Sequence, residues 1–220
     1  MALDLKSIKL IRSRRMLFNK FNLKLKKSQI IILIGDNGSG KSSLMDLIVG
    51  ILKPNSGEIK IEGNTINELG KTIRNFLLYI PHQNNLKDNI TVQENLTIWL
   101  NLLDFSLDLE QLYNNLKFFD LLEYKDILVK NLSHGQKKKV SLVKLLYSKA
   151  KIWLLDEPLN GLDKKSSVKL IKKIESFSHS GGAILISSHI DLKIKNARKI
   201  KIKQFYSENK KNKIDSWANL

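Results

Sequence analysis

Two kinds of hydrophobic pattern recur along the chain. Leu23 and Leu25 alternate with Lys24 and Lys26, and Ile59 and Ile61 with Glu58 and Lys60. Successive side chains of a strand face opposite ways, so this alternation predicts strands with one face in a core and one in water, typical of antiparallel pairing. The runs at 30–34, 152–155 and 183–186 are instead apolar throughout and end in Gly, Asp or Ser. They predict strands covered on both faces, as in a parallel sheet. After the first run, Leu44, Leu47, Ile48 and Ile51 recur at i, i+3, i+4 and i+7, the stripe of a helix lying on that sheet. Pro54-Asn55-Ser56-Gly57 then predicts a turn.

Residues 85–150 differ. Thr91 with Glu94 three positions on forms a capping box, and the spacing from 96 to 122 is helical. This predicts a helical insert between two sheet-forming portions. Beyond Lys193, Ile200 and Ile202 alternate with lysines, which predicts a last strand followed by a loose polar tail. The chain therefore reads as one α/β domain over 1–203, with a core from 1–84 and 150–203, a helical unit at 85–149 and a basic tail at 204–220. There is no internal repeat.

Charge changes this picture little. The 220 residues carry 38 Lys+Arg against 21 Asp+Glu, a formal charge of +17. Nearly all of the excess is lysine, with Arg only at 12, 14, 15, 74 and 198, and no aromatic-and-Arg groove is evident. Readers of nucleic acid depend on Arg forks and stacking aromatics, so the charge reads as solvated faces and no nucleic-acid partner is expected. No cysteine is present, which excludes disulfides, thiolate metal sites and cysteine nucleophiles. No apolar run approaches a membrane span, and Asp4 and Lys6 interrupt any signal core, so attachment to a membrane is expected only through partners.

The chemistry concentrates in a few motifs. Gly35-Asp36-Asn37-Gly38-Ser39-Gly40-Lys41-Ser42, followed by Ser43, fits G-x-x-x-x-G-K-[ST] between the 30–34 strand and the Leu44 helix. Glycines let backbone N–H groups close around phosphates, Lys41 adds a point charge and Ser42 a hydroxyl for Mg²⁺. Farther on come Leu132-Ser133-His134-Gly135-Gln136, then Asp156-Glu157-Pro158 after an apolar strand, then Asn160-Gly161-Leu162-Asp163 and Ser187-Ser188-His189. A carboxylate ending a buried strand, as at Asp156, is tolerable when it faces a cation.

This order and spacing resemble the ABC ATPase family from about Leu5 to Ile202. The resemblance implies a P-loop NTPase fold with a RecA-like parallel-sheet core, a small antiparallel β subdomain and a helical insert. It implies ATP as substrate, Mg²⁺ held by Ser42, Asp156 and Gln83, a water polarised by Glu157, and a γ-phosphate bonded by His189. Gln83 would touch both metal-bound water and a partner. Ser133, Gly135, Gln136 and Asp163 would meet the nucleotide of a second copy, so that two chains enclose two ATP molecules. Arg12 falls where the family stacks an aromatic ring on adenine, and its guanidinium plane is expected to stack there instead. His134 departs from the family's second signature glycine, which implies slower or altered closure. Ser28-Gln29, where Gly-Glu is frequent, is expected to be a structural departure only.

Finer features narrow the resemblance. Arg12-x-x-Arg15-x-Leu17-Phe18, Leu77-Leu78-Tyr79-Ile80-Pro81-His82-Gln83, Ile152-Trp153, Ser180-Gly181-Gly182-Ala183 and an ending soon after His189 resemble the ATP-binding subunits of cytochrome c biogenesis haem exporters. That implies integral membrane haem-exporter subunits as partners. It also implies a place on the cytoplasmic side of a bacterial inner membrane, or on the matrix side of the mitochondrial one. Haem itself is not expected to touch this chain, which has no cysteine and whose four histidines are His82, His134, His179 and His189. The same core motifs also allow the ATPase of another small exporter, or a soluble ribosome- or nucleic-acid-associated ABC ATPase.

Overall fold

A computed structural model describes residues 1–103 and 108–202. Residue 203 and the tail expected at 204–220 lie outside the described residues. The chain begins with β1 (Leu3–Arg12), β2 (Arg15–Leu25), β3 (Ile30–Ile34), α1 (Lys41–Ile48), β4 (Ser56–Ile61), β5 (Asn64–Thr65), the short α2 (Ile66–Leu69) and β6 (Leu77–Ile80). It continues through α3 (Val92–Leu102), α4 (Leu109–Phe118), α5 (His134–Tyr147), β7 (Ile152–Asp156), α6 (Lys164–His179), β8 (Ala183–Ser188) and β9 (Ala197–Lys201).

The strands form two sheets. One is antiparallel in the order β2-β1-β4-β5, and the other is parallel in the order β6-β7-β8-β3-β9. The continuously apolar runs are the central strands of the parallel sheet, with Ile30 opposite Ile184 and Ile152 opposite Ala183. Alternate residues of each strand serve different cores. Ile30, Ile32, Trp153, Leu155, Ile184 and Ile186 pack toward the helices of the insert and α6, where Trp153 stacks on Phe177 at 3.7 Å. Ile31, Leu33, Leu154 and Leu185 pack on the other face, with Leu44, Leu47 and Ile48 of α1 and Leu3, Leu5 and Phe18 of the antiparallel sheet. Burial on both faces is why these strands carry no polar alternation.

Two local expectations need correction. The helical stripe stops at Ile48, because Gly50 takes a left-handed φ of 80° that ends the helix, and Ile51 is left 68% exposed. The turn expected over 54–57 is shorter, since β4 begins at Ser56, which already pairs with Lys9, and Gly57 sits where the register with β1 shifts. The capping box at Thr91 and Glu94 is present and starts α3. Because the five strands of the second sheet run parallel, the ends of β3, β6, β7 and β8 all emerge at one edge. Open parallel sheets bind ligands at that edge.

Candidate active site

The loop leaving β3 is wound tightly before it enters α1. Gly38 and Gly40 hold left-handed φ values of 76° and 100°. A Cβ added at Gly35 would lie 2.7 Å from Ser39 Oγ and 2.8 Å from the Ile202 carbonyl. Within this loop the Lys41 ammonium, 6% exposed, donates to the carbonyls of Gly35 at 2.6 Å and Asp36 at 3.1 Å. The first-turn N–H groups of α1 have no helical acceptor, and the helix dipole adds partial positive charge at the same place. The result is a concave, positively charged cradle fitted to an anion.

Opposite it stand two consecutive carboxylates at the end of β7. In a regular strand Asp156 and Glu157 would point to opposite faces. Here Glu157 adopts φ 48°, rare outside glycine, which re-aims its side chain so that both carboxylates line one cavity. Ser187 of β8, register partner of Asp156, holds this corner together. Its carbonyl and hydroxyl accept from the Glu157 N–H at 3.3 and 3.0 Å, and its hydroxyl donates to Asp156 Oδ1. Glu157 Oε1 lies 3.8 Å from Lys41 Nζ, and Glu157 Oε2 lies 2.9 Å from Nδ1 of His189.

The cavity between cradle and carboxylates measures about 510 Å³, within the range of small-molecule sites. Of the residues named from sequence, Arg12, Asn37, Gly38, Gly40, Lys41, Ser42, Ser43, Asp156, Glu157 and His189 line it. Gly35, Asp36 and Ser39 belong to the loop and shape it without lining the space. Arg12, at the end of β1, donates from Nη1 to Ser43 Oγ at 3.2 Å. That bond draws the guanidinium toward the start of α1. Sequence reasoning missed Ser13, Leu17 and Asn160 as lining residues, and gave His82 no role in the wall.

Other expected residues are not brought there. Gln83 is exposed and lies outside the lining, with His82 in the wall instead. Ser133, Gly135, Gln136 and Asp163 are also outside it. Ser133 caps α5, and Gln136 closes a capping box with it. Ser133 Oγ accepts from the Gln136 N–H at 3.2 Å, and Gln136 Oε1 accepts from the Ser133 N–H at 2.8 Å. The start of α5 packs directly on the Asn160–Gly161 turn, so that a Cβ at Gly135 would sit 2.5 Å from the Gly161 carbonyl. Asp163 caps α6 through the Ser166 N–H at 2.8 Å and pairs with Lys139 of α5 at 2.6 Å.

Lys138 was also missed, since a Lys-Lys-Lys run reads as a solvated face. It is 1% exposed and lies beside the carboxylates. Burial pushes its ammonium down to about 8, against the opposing pull of Asp156 and Glu157.

Comparison with known proteins decides the assignment. Residues 18–160 match the model of the ABC transporter family. The chain belongs to the ABC transporter family. Its relatives include proteins named cytochrome c biogenesis ATP-binding export protein CcmA. The one from Rickettsia felis is 38% identical over 185 residues, 84% of this chain and 91% of that protein. The one from Nitrosomonas europaea is 34% identical over 191 residues, 86% and 89% of the two chains. Among solved structures, a dimeric bacterial ABC transporter cassette superposes with a TM-score of 0.81 at 23% identity, over 91% of this chain and 94% of its own. A putative ABC transporter ATP-binding protein from Pyrococcus furiosus gives 0.78 at 23% identity, over 91% and 96%. The chain is thus an ABC-type ATP-binding protein of the CcmA type, with the parallel core, antiparallel sheet and helical insert of that fold. It is an ATP hydrolase of an ABC-type transporter. Among the described residues, no helix is long and apolar enough to cross a membrane.

The Asp163–Lys139 pair yields a pH prediction. The Lys139 ammonium, then the Ser166 N–H and hydroxyl, hold the Asp163 carboxyl well below the usual carboxylate range. A folded pKa below the unfolded one gives stability that is present above the unfolded value and lost as pH falls through the folded one. Asp163→Asn is therefore expected to lower the melting temperature modestly at pH 7, with the difference from wild type shrinking as pH falls below about 4. A difference that stays constant between pH 7 and pH 3 in thermal unfolding would contradict this.

Proposed function

We propose that this chain is the ATP-hydrolysing subunit of an export complex in cytochrome c biogenesis, coupling hydrolysis to haem export and release of a haem-loaded chaperone. The observation that carries this reading is the run of CcmA-named relatives at 30% to 38% identity, aligned over most of both chains. In this reading residues 1–84 and 150–203 hold the nucleotide, and residues 85–149 present the signature and face the membrane subunits. The chain sits peripherally on the cytoplasmic side of a bacterial inner membrane, or on the matrix side of its mitochondrial equivalent. Its partners are integral membrane subunits and a second copy of itself. Haem and nucleic acid do not bind it.

The residues then take specific tasks. Residues 35–43 and the start of α1 hold the β- and γ-phosphates, with Lys41 as the fixed positive charge. Asp156 and the Ser42 hydroxyl are hard oxygen donors that line the same cavity, a set that suits Mg²⁺, which takes few protein ligands and completes its shell with phosphates and water. Mg²⁺ would there neutralise charge developing on the phosphates. Glu157 polarises the attacking water, and its 2.9 Å contact with His189 supports their acting together, with His189 bonding the γ-phosphate. Gln83 would be brought toward the Mg²⁺ site when the nucleotide is enclosed. Ser133, Gly135, Gln136 and Asp163 complete the site of the other copy, which accords with their position outside this chain's own cavity.

Glu157→Gln tests the chemistry. The variant is expected to bind MgATP with affinity near wild type but to lose at least about a hundredfold in phosphate release. With MgATP it should elute as a dimer, because opening requires hydrolysis. Turnover near wild type would remove Glu157 from this role.

Arg12 tests the recognition of the base. Stacking on adenine is worth about 0.5–2 kcal/mol, so Arg12→Ala is expected to weaken ATP several-fold while Arg12→Tyr retains affinity. Unchanged affinity in Arg12→Ala by fluorescence titration would rule this out.

A further inference from the structure

The signature helix does more than present its N-terminus. Lys138, one turn into α5, has its ammonium almost wholly removed from water. Its Nζ donates to two backbone carbonyls that belong to separate parts of the active site. One is Pro81, immediately after β6, at 3.4 Å, and the other is Asp156, at the end of β7, at 3.3 Å. Three residues on, and therefore on the same helical face, Ser141 is 2% exposed and donates from Oγ to the carbonyl of Asn84 at 2.9 Å. The segment that carries Gln83 is thus seated on α5 at both ends. Lys137 adds a surface ion pair with Asp88 at 3.0 Å beyond it.

Burying a lysine is costly, and helix packing alone would be better served by an apolar residue of the same length. A cation spent on two carbonyls in such a place points to a positional task. Carbonyl oxygens separated in sequence by 75 positions cannot be held at a fixed spacing by local structure, whereas one ammonium with three donors can bridge them.

We propose that Lys138 is a positioning residue for ATP hydrolysis. With Ser141 it clamps the 81–84 segment and the end of β7 onto α5, so that Gln83, the Asp156–Glu157 carboxylates and the Ser133 end of the helix keep one mutual arrangement. The inference rests on the ATPase reading above, because it assigns Lys138 an effect on turnover. The phosphate loop is not part of the clamp. Removing the clamp should therefore disturb the placement of the carboxylates while leaving binding by residues 35–43 largely intact.

The experiment is steady-state hydrolysis of MgATP together with thermal unfolding, for wild type, Lys138→Met, Lys138→Gln and Ser141→Ala. Lys138→Met keeps the length and removes the donor. Its kcat is expected to fall about ten- to hundredfold with KM within about threefold of wild type, since misplacement of reacting groups acts on the chemical step. Its melting temperature should be unchanged or higher, because a buried charge has been removed. Lys138→Gln, a neutral donor, should recover part of the lost kcat without a matching gain in stability. Ser141→Ala, the milder change, should lower kcat a few-fold at constant KM, and it serves if Lys138→Met fails to fold. The clamp is overturned if Lys138→Met and Ser141→Ala both keep kcat within twofold of wild type, or if every loss of kcat tracks a loss of folded protein. An inactive wild type would overturn the ATPase reading itself and the clamp with it, an outcome distinct from active wild type with active variants.

Discussion

Three charged side chains nearly out of contact with water border the cavity at one edge of the parallel sheet. Lys41, Asp156 and Glu157 are 6%, 1% and 9% exposed. Charges in such surroundings must be matched closely or the fold loses several kcal/mol for each. Each is matched by a different element. The carbonyls of the loop after β3 take Lys41, Ser187 of β8 takes Asp156 and the Glu157 N–H, and His189 takes the Glu157 carboxylate. The order β6-β7-β8-β3-β9 follows from this requirement as much as from apolar burial, because it sets β7 and β8 side by side and places the loop after β3 next to β8. A triphosphate entering the cradle would meet the same cation and the same carboxylates, which is how a costly charge cluster becomes a site.

The parts legible in the sequence were those where one physical demand acts alone. The double burial of 30–34, 152–155 and 183–186 left no polar residue to obscure the strands, and Thr91-x-x-Glu94 marks a helix start with chemistry that few other contexts need. β1 was harder to see. Register shifts between Leu5 and Ile8 and a left-handed Ser7 break the two-residue period, so Leu3, Leu5, Ile8 and Leu10 are all buried without strict alternation. Ile51 continued the helical spacing past a glycine that ends the helix. Lys138 was illegible for another reason: a lysine between two lysines looks solvated, and only the tertiary fold brings the carbonyls of Pro81 and Asp156 to it.

The phosphate-loop part of the wall was legible because its motif is contiguous, and Asp156, Glu157 and His189 because family order supplied them; the same order named Ser133, Gly135, Gln136 and Asp163, which do not line the cavity. Geometry separates these two groups. Residues 35–43, Asp156, Glu157 and His189 share one chain's cavity edge, while Ser133, Gly135, Gln136 and Asp163 sit at helix starts that face elsewhere. The capping box of Ser133 and Gln136 satisfies α5 internally, and the Lys139–Asp163 pair locks its start to that of α6. The two helix N-termini are thereby tied to each other outside this chain's own cavity. His134 lies against Gly161, so its side chain fills the space beside that turn.

A triphosphate held in the cradle around Lys41 would owe its affinity to that buried cation. Calorimetric titration of a non-hydrolysable MgATP analogue into wild type and Lys41→Ala tests it most directly. Saturable binding by wild type, weakened about a hundredfold in the variant, is the predicted result. Equal affinities for the two proteins would contradict the account.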